Sequence, residues 1–220
     1  MKIKTDNLTL FALIITFIAA YIETDIYIPS FPEMLRFFKT DEKTLQLVVS
    51  MNFAGIFLGS LISGPLSDSY GRRKPILISL LGFTISSLGC ALSEHITSLI
   101  FWRFIQGAFV AIPMAIPCAV IMDKYTPEKA ARLIAFLSGV VTATLAFAPA
   151  IGGWLQISFG WQSTFLFITL FAAFSFVANF LYLEETLETK KRTKINTKHI
   201  ITDYFLILRN HQFMYNTGIM

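Results

Sequence analysis

Six long stretches of this chain carry almost no charge, and they follow one another with only short polar breaks between them. A helix needs about 20 apolar residues to cross the roughly 30 Å hydrocarbon layer of a bilayer. We read the spans as 7–29, 44–66, 75–93, 96–122, 132–156 and 161–183. With 55% hydrophobic residues, 22 phenylalanines and a mean hydropathy of +0.63, the 220 residues are too apolar for a soluble core. The expected fold class is therefore all-α: a polytopic membrane protein in which residues 1–184 form a six-helix transmembrane bundle.

Lys2 and Lys4 precede the first span, as in a signal peptide. That span is longer than the usual 7–15-residue signal core and lacks a small-x-small cleavage site, so it reads as a retained helix. The net charge of +4 comes from basic residues in loops and tail, which membrane orientation explains without nucleic acid. Cys90 and Cys118 lie inside apolar runs, toward opposite ends of their spans, so neither a disulfide nor a metal site is expected. No Ser/His/Asp set, zincin histidine pair, Walker loop or dinucleotide fingerprint occurs, and three scattered histidines build no site. Neither enzyme activity nor a cofactor is expected.

Between the second and third spans lies Gly64-Pro-Leu-Ser-Asp68-Ser-Tyr-Gly71-Arg72-Arg73-Lys74-Pro75. Its three adjacent cations place it in the cytoplasm by the positive-inside bias. Lys2, Lys4, Lys124, Lys129, Arg132 and the basic run through Lys198 then fall on the same side, and only Arg36, Lys39 and Lys43 on the other. Trp102, Trp154 and Trp161 fall near outer helix ends, where an amphipathic ring prefers the lipid interface. Both termini are thus expected in the cytoplasm. Gly64 and Gly71 are read as supplying backbone freedom for a tight turn, and Pro75 as opening the next helix.

Charge inside the spans needs a reason. An acid at the centre of a spanning helix costs about 2.5–3.5 kcal/mol even on the lenient insertion scale, and the first span carries Glu23 and Asp25. Glu23 lies roughly 22 Å from the start of that span. Two residues apart means about 200° around a helix, so one carboxylate can line a cavity while the other meets a neighbour or the interface. Alternatively, both mark a water-exposed helix end broken by Pro29 and Pro32. In the fourth span Arg103, Gln106 and Gly107 share one face, about 10 Å below the outer surface and close to the depth of the two acids. A buried arginine beside a buried carboxylate lowers the cost of both. A purely structural ion pair, or an arginine snorkelling outward, is the other reading.

Gly55, Gly59 and Ser63 make a small-residue stripe on the second span, and Thr142, Ala146 and Ala150 another on the fifth. Such stripes let helices approach closely in lipid. Pro149, Gly152 and Gly153 read as a bend with close packing, whereas the third and sixth spans read as scaffold. Spans 1–3 and 4–6 look like two repeats, each with charge on its first helix. Beyond the bundle, 185–212 reads as a charged cytoplasmic linker beside lipid headgroups, with 200–208 as an interfacial helix, and 213–220 opens a new apolar run.

Gly64, Asp68, Gly71, Arg72 and Lys74 resemble, at matching spacing, the loop signature of the major facilitator superfamily, with Ser69 where a basic residue is usual. Asp25-x-Tyr27-x-Pro29-x-x-Pro32 resembles the first helix of Bcr/CflA-type drug exporters. Arg103-x-x-Gln106-Gly107 resembles a fourth-helix motif associated with proton coupling, and Ala148-Pro149-Ala150-Ile-Gly152-Gly153 resembles the exporters' fifth-helix motif. The resemblance implies that this is the N-terminal half of a twelve-helix fold, with 213–220 the start of helix 7 and Asp123 paired to Arg72. It further implies proton-coupled efflux of small lipophilic molecules across a bacterial inner membrane. Asp25, Glu23 and Arg103 would handle the proton, and Tyr27, Asn52, Phe53 and Gln106 would touch substrate. Two alternatives stand beside it: a truncated or half-transporter that needs a complementary half or second copy, and a proton-coupled nutrient importer.

Overall fold

The computed structural model describes residues 2–188 and Arg192. The 200–208 helix, the 213–220 run and most of the linker lie outside the described residues. Among the described residues every regular element is helical, and six helical stretches are long and apolar enough to cross a membrane.

Helix α1 (Lys2–Asp25) stops short of the expected 29. A single 3₁₀ turn, Ile28–Ser30, and a short helix α2 (Phe31–Phe38) then continue the path. Pro29 and Pro32 cause this: each sits in the first turn of its own element, where its missing N–H leaves no gap, and neither could extend α1. Lys39, at φ 49°, turns the chain out of α2. Asp41 caps helix α3 (Glu42–Tyr70) by accepting the Thr44 N–H at 2.9 Å.

Most of what the sequence suggests as a polar hinge belongs to α3, which runs through Gly64 and Pro65 to Tyr70. Gly64 is helical with open space around it, so its expected turn-making role is not what it does. Gly71 alone makes the reversal, at φ 88°, where an L side chain would be strained. Helix α4 (Arg73–Ala91) starts two residues later with Pro75 in its first turn. Helices α5 (Ile96–Lys124), α6 (Pro127–Phe159) and α7 (Gln162–Tyr182) complete the bundle.

The extensive contacts run between the two triplets of spans and correspond when the triplets are exchanged. Helix α3 lies along α5 just as α6 lies along α1, and α4 contacts α5 just as α7 contacts α1. The pairs α1·α5 and α4·α7 cross the middle. The first helix of each triplet, α1 and α5, thus meets the other at the centre, which brings their charges together. The α3·α5 seam is the most extensive, because Gly55 and Gly59 admit the Phe104 and Ala108 backbone and Gly107 admits that of Asn52. On the α1·α7 seam Asn179 Nδ2 donates to Thr16 Oγ1 at 2.6 Å, and Thr16 lies 3.0 Å from Ser175 Oγ. Helix α7, expected to be plain scaffold, therefore carries a buried polar clamp.

Two further expectations change. Trp161 is not an interfacial anchor: it is fully buried against Phe37, Phe38 and Phe165, because α2 folds back over the start of α7. Thr142, Ala146 and Ala150 are exposed, whereas the face of α6 that packs into the bundle carries Ala130, Leu137, Ala148 and Gly152.

Candidate functional site

Where α1 ends and α5 is two turns old, Glu23 and Arg103 meet. Arg103 Nη1 donates to Glu23 Oε2 at 2.6 Å, and both side chains are wholly buried. The same Nη1 donates to Gln106 Oε1 at 2.5 Å, and Gln106 Nε2 donates to Ser87 Oγ on α4 at 2.7 Å. Asn52 Nδ2 reaches the Arg103 carbonyl from α3 at 3.4 Å. The i, i+3 spacing of Arg103 and Gln106 allows this, since it puts guanidinium and amide over one another. One ion pair between α1 and α5 is therefore tied to two further helices, α3 and α4.

Aromatic rings close the site. The Arg103 guanidinium sits 4.2 Å from the Tyr27 ring centroid and 5.8 Å from that of Phe165. Tyr27 belongs to the break after α1 and packs tilted against Phe31 and Phe165. Asp25, at the last position of α1, is only partly buried and makes no ion pair with a described residue. Of the four expected substrate contacts, Tyr27, Asn52 and Gln106 are buried in the bundle, and Phe53 is 55% exposed on α3. Chemically, the arrangement is a carboxylate and a guanidinium paired in the bundle interior, with aromatic rings packed against the guanidinium.

The break after α1 is itself gripped by α6. Gly152 lies so close to the Ile26 carbonyl that a Cβ would collide with the backbone there. Gly153 is looser, its would-be Cβ 3.8 Å from Pro29 Cβ, and Pro149 faces outward. The proline–glycine segment thus touches the chain immediately beyond Asp25.

At the other end of the bundle Arg72 holds three groups at once. Its Nη1 donates to Ser67 Oγ at 2.5 Å and to Asp68 Oδ1 at 2.6 Å, and its Nε donates to Asp123 Oδ2 at 2.8 Å. Burial works against the charge, but the Asp123 and Asp68 carboxylates outweigh it and hold the Arg72 pKa above the usual arginine value. The planar fork suits this role, which a point-charge lysine could not fill. Lys74 is exposed.

One member of this cluster escapes sequence reading. Glu185, beyond α7, returns to the reversal and accepts the Arg72 N–H at 2.8 Å and the Arg73 N–H at 3.4 Å. Its carboxylate thereby caps the start of α4, where unpaired N–H groups and the helix dipole favour negative charge. A Cβ on Gly71 would run into that carboxylate, giving the glycine a second reason to be there. In the sequence Glu185 is one of several acids in a charged run, with no spacing that singles it out. Glu185→Ala is expected to lower stability by about 1–2 kcal/mol, read as a lower melting temperature in detergent. An unchanged melt would show that water replaces the cap without loss.

Comparison with known proteins places these features in a family. Residues 13–220 match the sequence model of the Major Facilitator Superfamily. The uncharacterized MFS-type transporter YdgK of Bacillus subtilis is 32% identical over 86% of this chain and 48% of its own length. A bicyclomycin resistance protein homolog of Haemophilus influenzae is 24% identical over 86% and 48%, and the multidrug resistance protein MdtM of Escherichia coli is 26% identical over 94% and 50%. Among solved structures, a bacterial homolog of the human lysosomal transporter Spinster superposes with a TM-score of 0.76 at 19% identity, over 93% of this chain and 48% of that one. The human organic anion transporter MFSD10 gives 0.73 at 18% identity, over 88% and 52%. The chain spans about half the length of these relatives. Its fold and signature residues agree with the sequence match, and the family is one of transporters rather than enzymes: the chain is an integral membrane protein that belongs to the Major Facilitator Superfamily.

Proposed function

We propose that this chain supplies the first half of a proton-coupled exporter of small lipophilic molecules. The observation that carries the reading is the buried Glu23–Arg103 pair, held between the first helices of the two triplets. An ionisable pair sealed in an apolar bundle costs free energy, and a role in moving charge explains its retention better than packing does. Glu23 would take and release the proton, Arg103 would set the balance, and Asp25, partly exposed at the helix end, would pass the proton to water. Phe53 would offer its exposed ring to an apolar substrate. Tyr27, Asn52 and Gln106 would meet substrate only when the pair opens. Export is supported by the relatives, whose names include multidrug and bicyclomycin resistance proteins.

The second bundle that alternating access requires would come from a complementary half or a second copy. Supporting this, Ala131, Ala135, Ser138, Thr142, Ala146 and Ala150 are all exposed along one side of α6, while Phe136, Phe147 and Trp154 occupy another side. Lipid accommodates the bulky side, whereas small residues favour close approach by a helix. The Arg72–Asp68–Asp123 cluster would then gate the end facing the cytoplasm, and Pro149, Gly152 and Gly153 the region around Asp25. Both termini would lie in the cytoplasm of a bacterial cell, testable with reporter fusions.

Inverted membrane vesicles holding the chain with a complementary half are expected to accumulate a lipophilic dye when a pH gradient is imposed. Glu23→Gln combined with Asp25→Asn is expected to abolish that accumulation. Undiminished pH-driven uptake in the double variant would remove proton handling from these residues. Uptake by the chain without any partner half would remove the need for a second bundle.

A further inference from the structure

We propose that Tyr27 is a positioning residue whose ring keeps Arg103 in place when Glu23 carries no charge. This rests on the reading that Glu23 changes its protonation during transport. The difficulty it addresses is elementary. Removing the carboxylate's charge leaves a guanidinium buried without its counter-ion, and such a group either leaves for water or finds another partner.

The structure offers few candidates. The titratable groups around Glu23 are Asp25 and Tyr27 on its own segment, Arg103 on α5 and Cys90 on α4. The Cys90 thiol lies 3.7 Å from Gln106 Oε1, and Asp25, half-buried at the helix end, makes no ion pair with a described residue. Gln106 gives Arg103 one neutral acceptor. What remains is the Tyr27 ring, 4.2 Å from the guanidinium carbon and fully buried, backed by Phe165 at 5.8 Å. An aromatic face attracts a cation through its quadrupole, most strongly where both are desolvated, and it does not titrate as a carboxylate does. The Tyr27 hydroxyl makes no well-formed hydrogen bond among the described residues, but its oxygen also lies near the guanidinium, so Tyr27→Phe is the variant that separates ring from oxygen.

Arg103 is therefore held by two devices, one sensitive to protons and one not. Its charge stays in the bundle in both states, so that Glu23 can discharge without releasing the arginine.

The test uses the whole chain in detergent, with phenylglyoxal as a probe of guanidinium exposure and peptide mass analysis reading Arg103 alone. Glu23→Gln mimics the uncharged acid. In the native chain and in Glu23→Gln, Arg103 is expected to label slowly, and adding Tyr27→Phe, which keeps the ring, is expected to change little. Fluorinated phenylalanines at position 27 preserve shape while weakening and then inverting the quadrupole. In the Glu23→Gln background the labelling rate is expected to climb with fluorine number, reaching about 30-fold for the pentafluoro ring. A flat series overturns the proposal, as does a Glu23→Gln chain that already labels as fast as the pentafluoro variant. If instead pH-driven transport survives Glu23→Gln while the labelling series rises, the ring holds the arginine but the proton-carrier reading fails.

Discussion

Arg103→Leu is expected to lower the stability of the bundle by about 3–5 kcal/mol, the cost of leaving one member of a buried ion pair alone. The size follows from what is left behind. Glu23 would remain wholly buried without the one opposite charge it meets among the described residues, and Gln106 Oε1 would lose its guanidinium donor. Leucine also surrenders the contact with the Tyr27 and Phe165 rings. Glu23→Gln should cost less, because the amide keeps an oxygen for Nη1 and the guanidinium keeps its rings. The diagnostic result is the double variant Arg103→Leu with Glu23→Leu, expected to recover much of the loss by removing both charges from the low-dielectric interior. Unfolding followed by circular dichroism in detergent would measure all three. Equal losses for Arg103→Leu and the double variant would mean that packing, not the stranded carboxylate, sets the cost.

Gly152→Val is the second large effect, expected at about 3 kcal/mol, the upper part of the range for overpacking. Its Cβ would fall on the Ile26 carbonyl, and neither partner can yield: one is the backbone of α6, the other the backbone where α1 gives way to the 3₁₀ turn. Relief requires α6 to back away from the break, so amide hydrogens of residues 26–30 should exchange faster than in the native chain. Neighbouring glycines provide controls. Gly153→Ala meets only an ordinary contact, and Gly64→Ala meets open space inside a helix, so both are expected to be neutral or to stabilise by up to about 1 kcal/mol. If all three glycines responded alike, lost helix flexibility rather than collision would be the cause.

The number of spans and their order are legible in the sequence because lipid imposes one requirement: enough consecutive apolar residues, every backbone group satisfied within its helix. The centre of the site is legible for the same reason, since Glu23 and Arg103 are anomalous wherever they stand in an apolar run. Details that depend on who faces whom are not. Trp161 carries the same sequence signal as an interfacial tryptophan, and only the return of α2 buries it. Gly64 looks as much a turn residue as Gly71, but its helix continues past Pro65, which has no N–H to donate, through to Tyr70, and no positive φ is imposed until Gly71. The exposed stripe on α6 follows the pattern of a packed one; periodicity gives the face, not its occupant. Glu185 is invisible for a different reason, since its partners are backbone N–H groups, which every residue possesses.

The carboxylate of Glu185 gives the bundle a point of attachment that the helix ends alone do not. The chain leaves α7 at Tyr182 and within three residues is fastened to the first N–H groups of α4. A downstream segment that shifts would therefore strain those two hydrogen bonds, and with them the Gly71 reversal and the Arg72 fork, before it tugged on α7. Mechanically the chain beyond Glu185 is moored by hydrogen bonds to the loop between α3 and α4, so displacement of anything joined beyond it is delivered to that loop as tension.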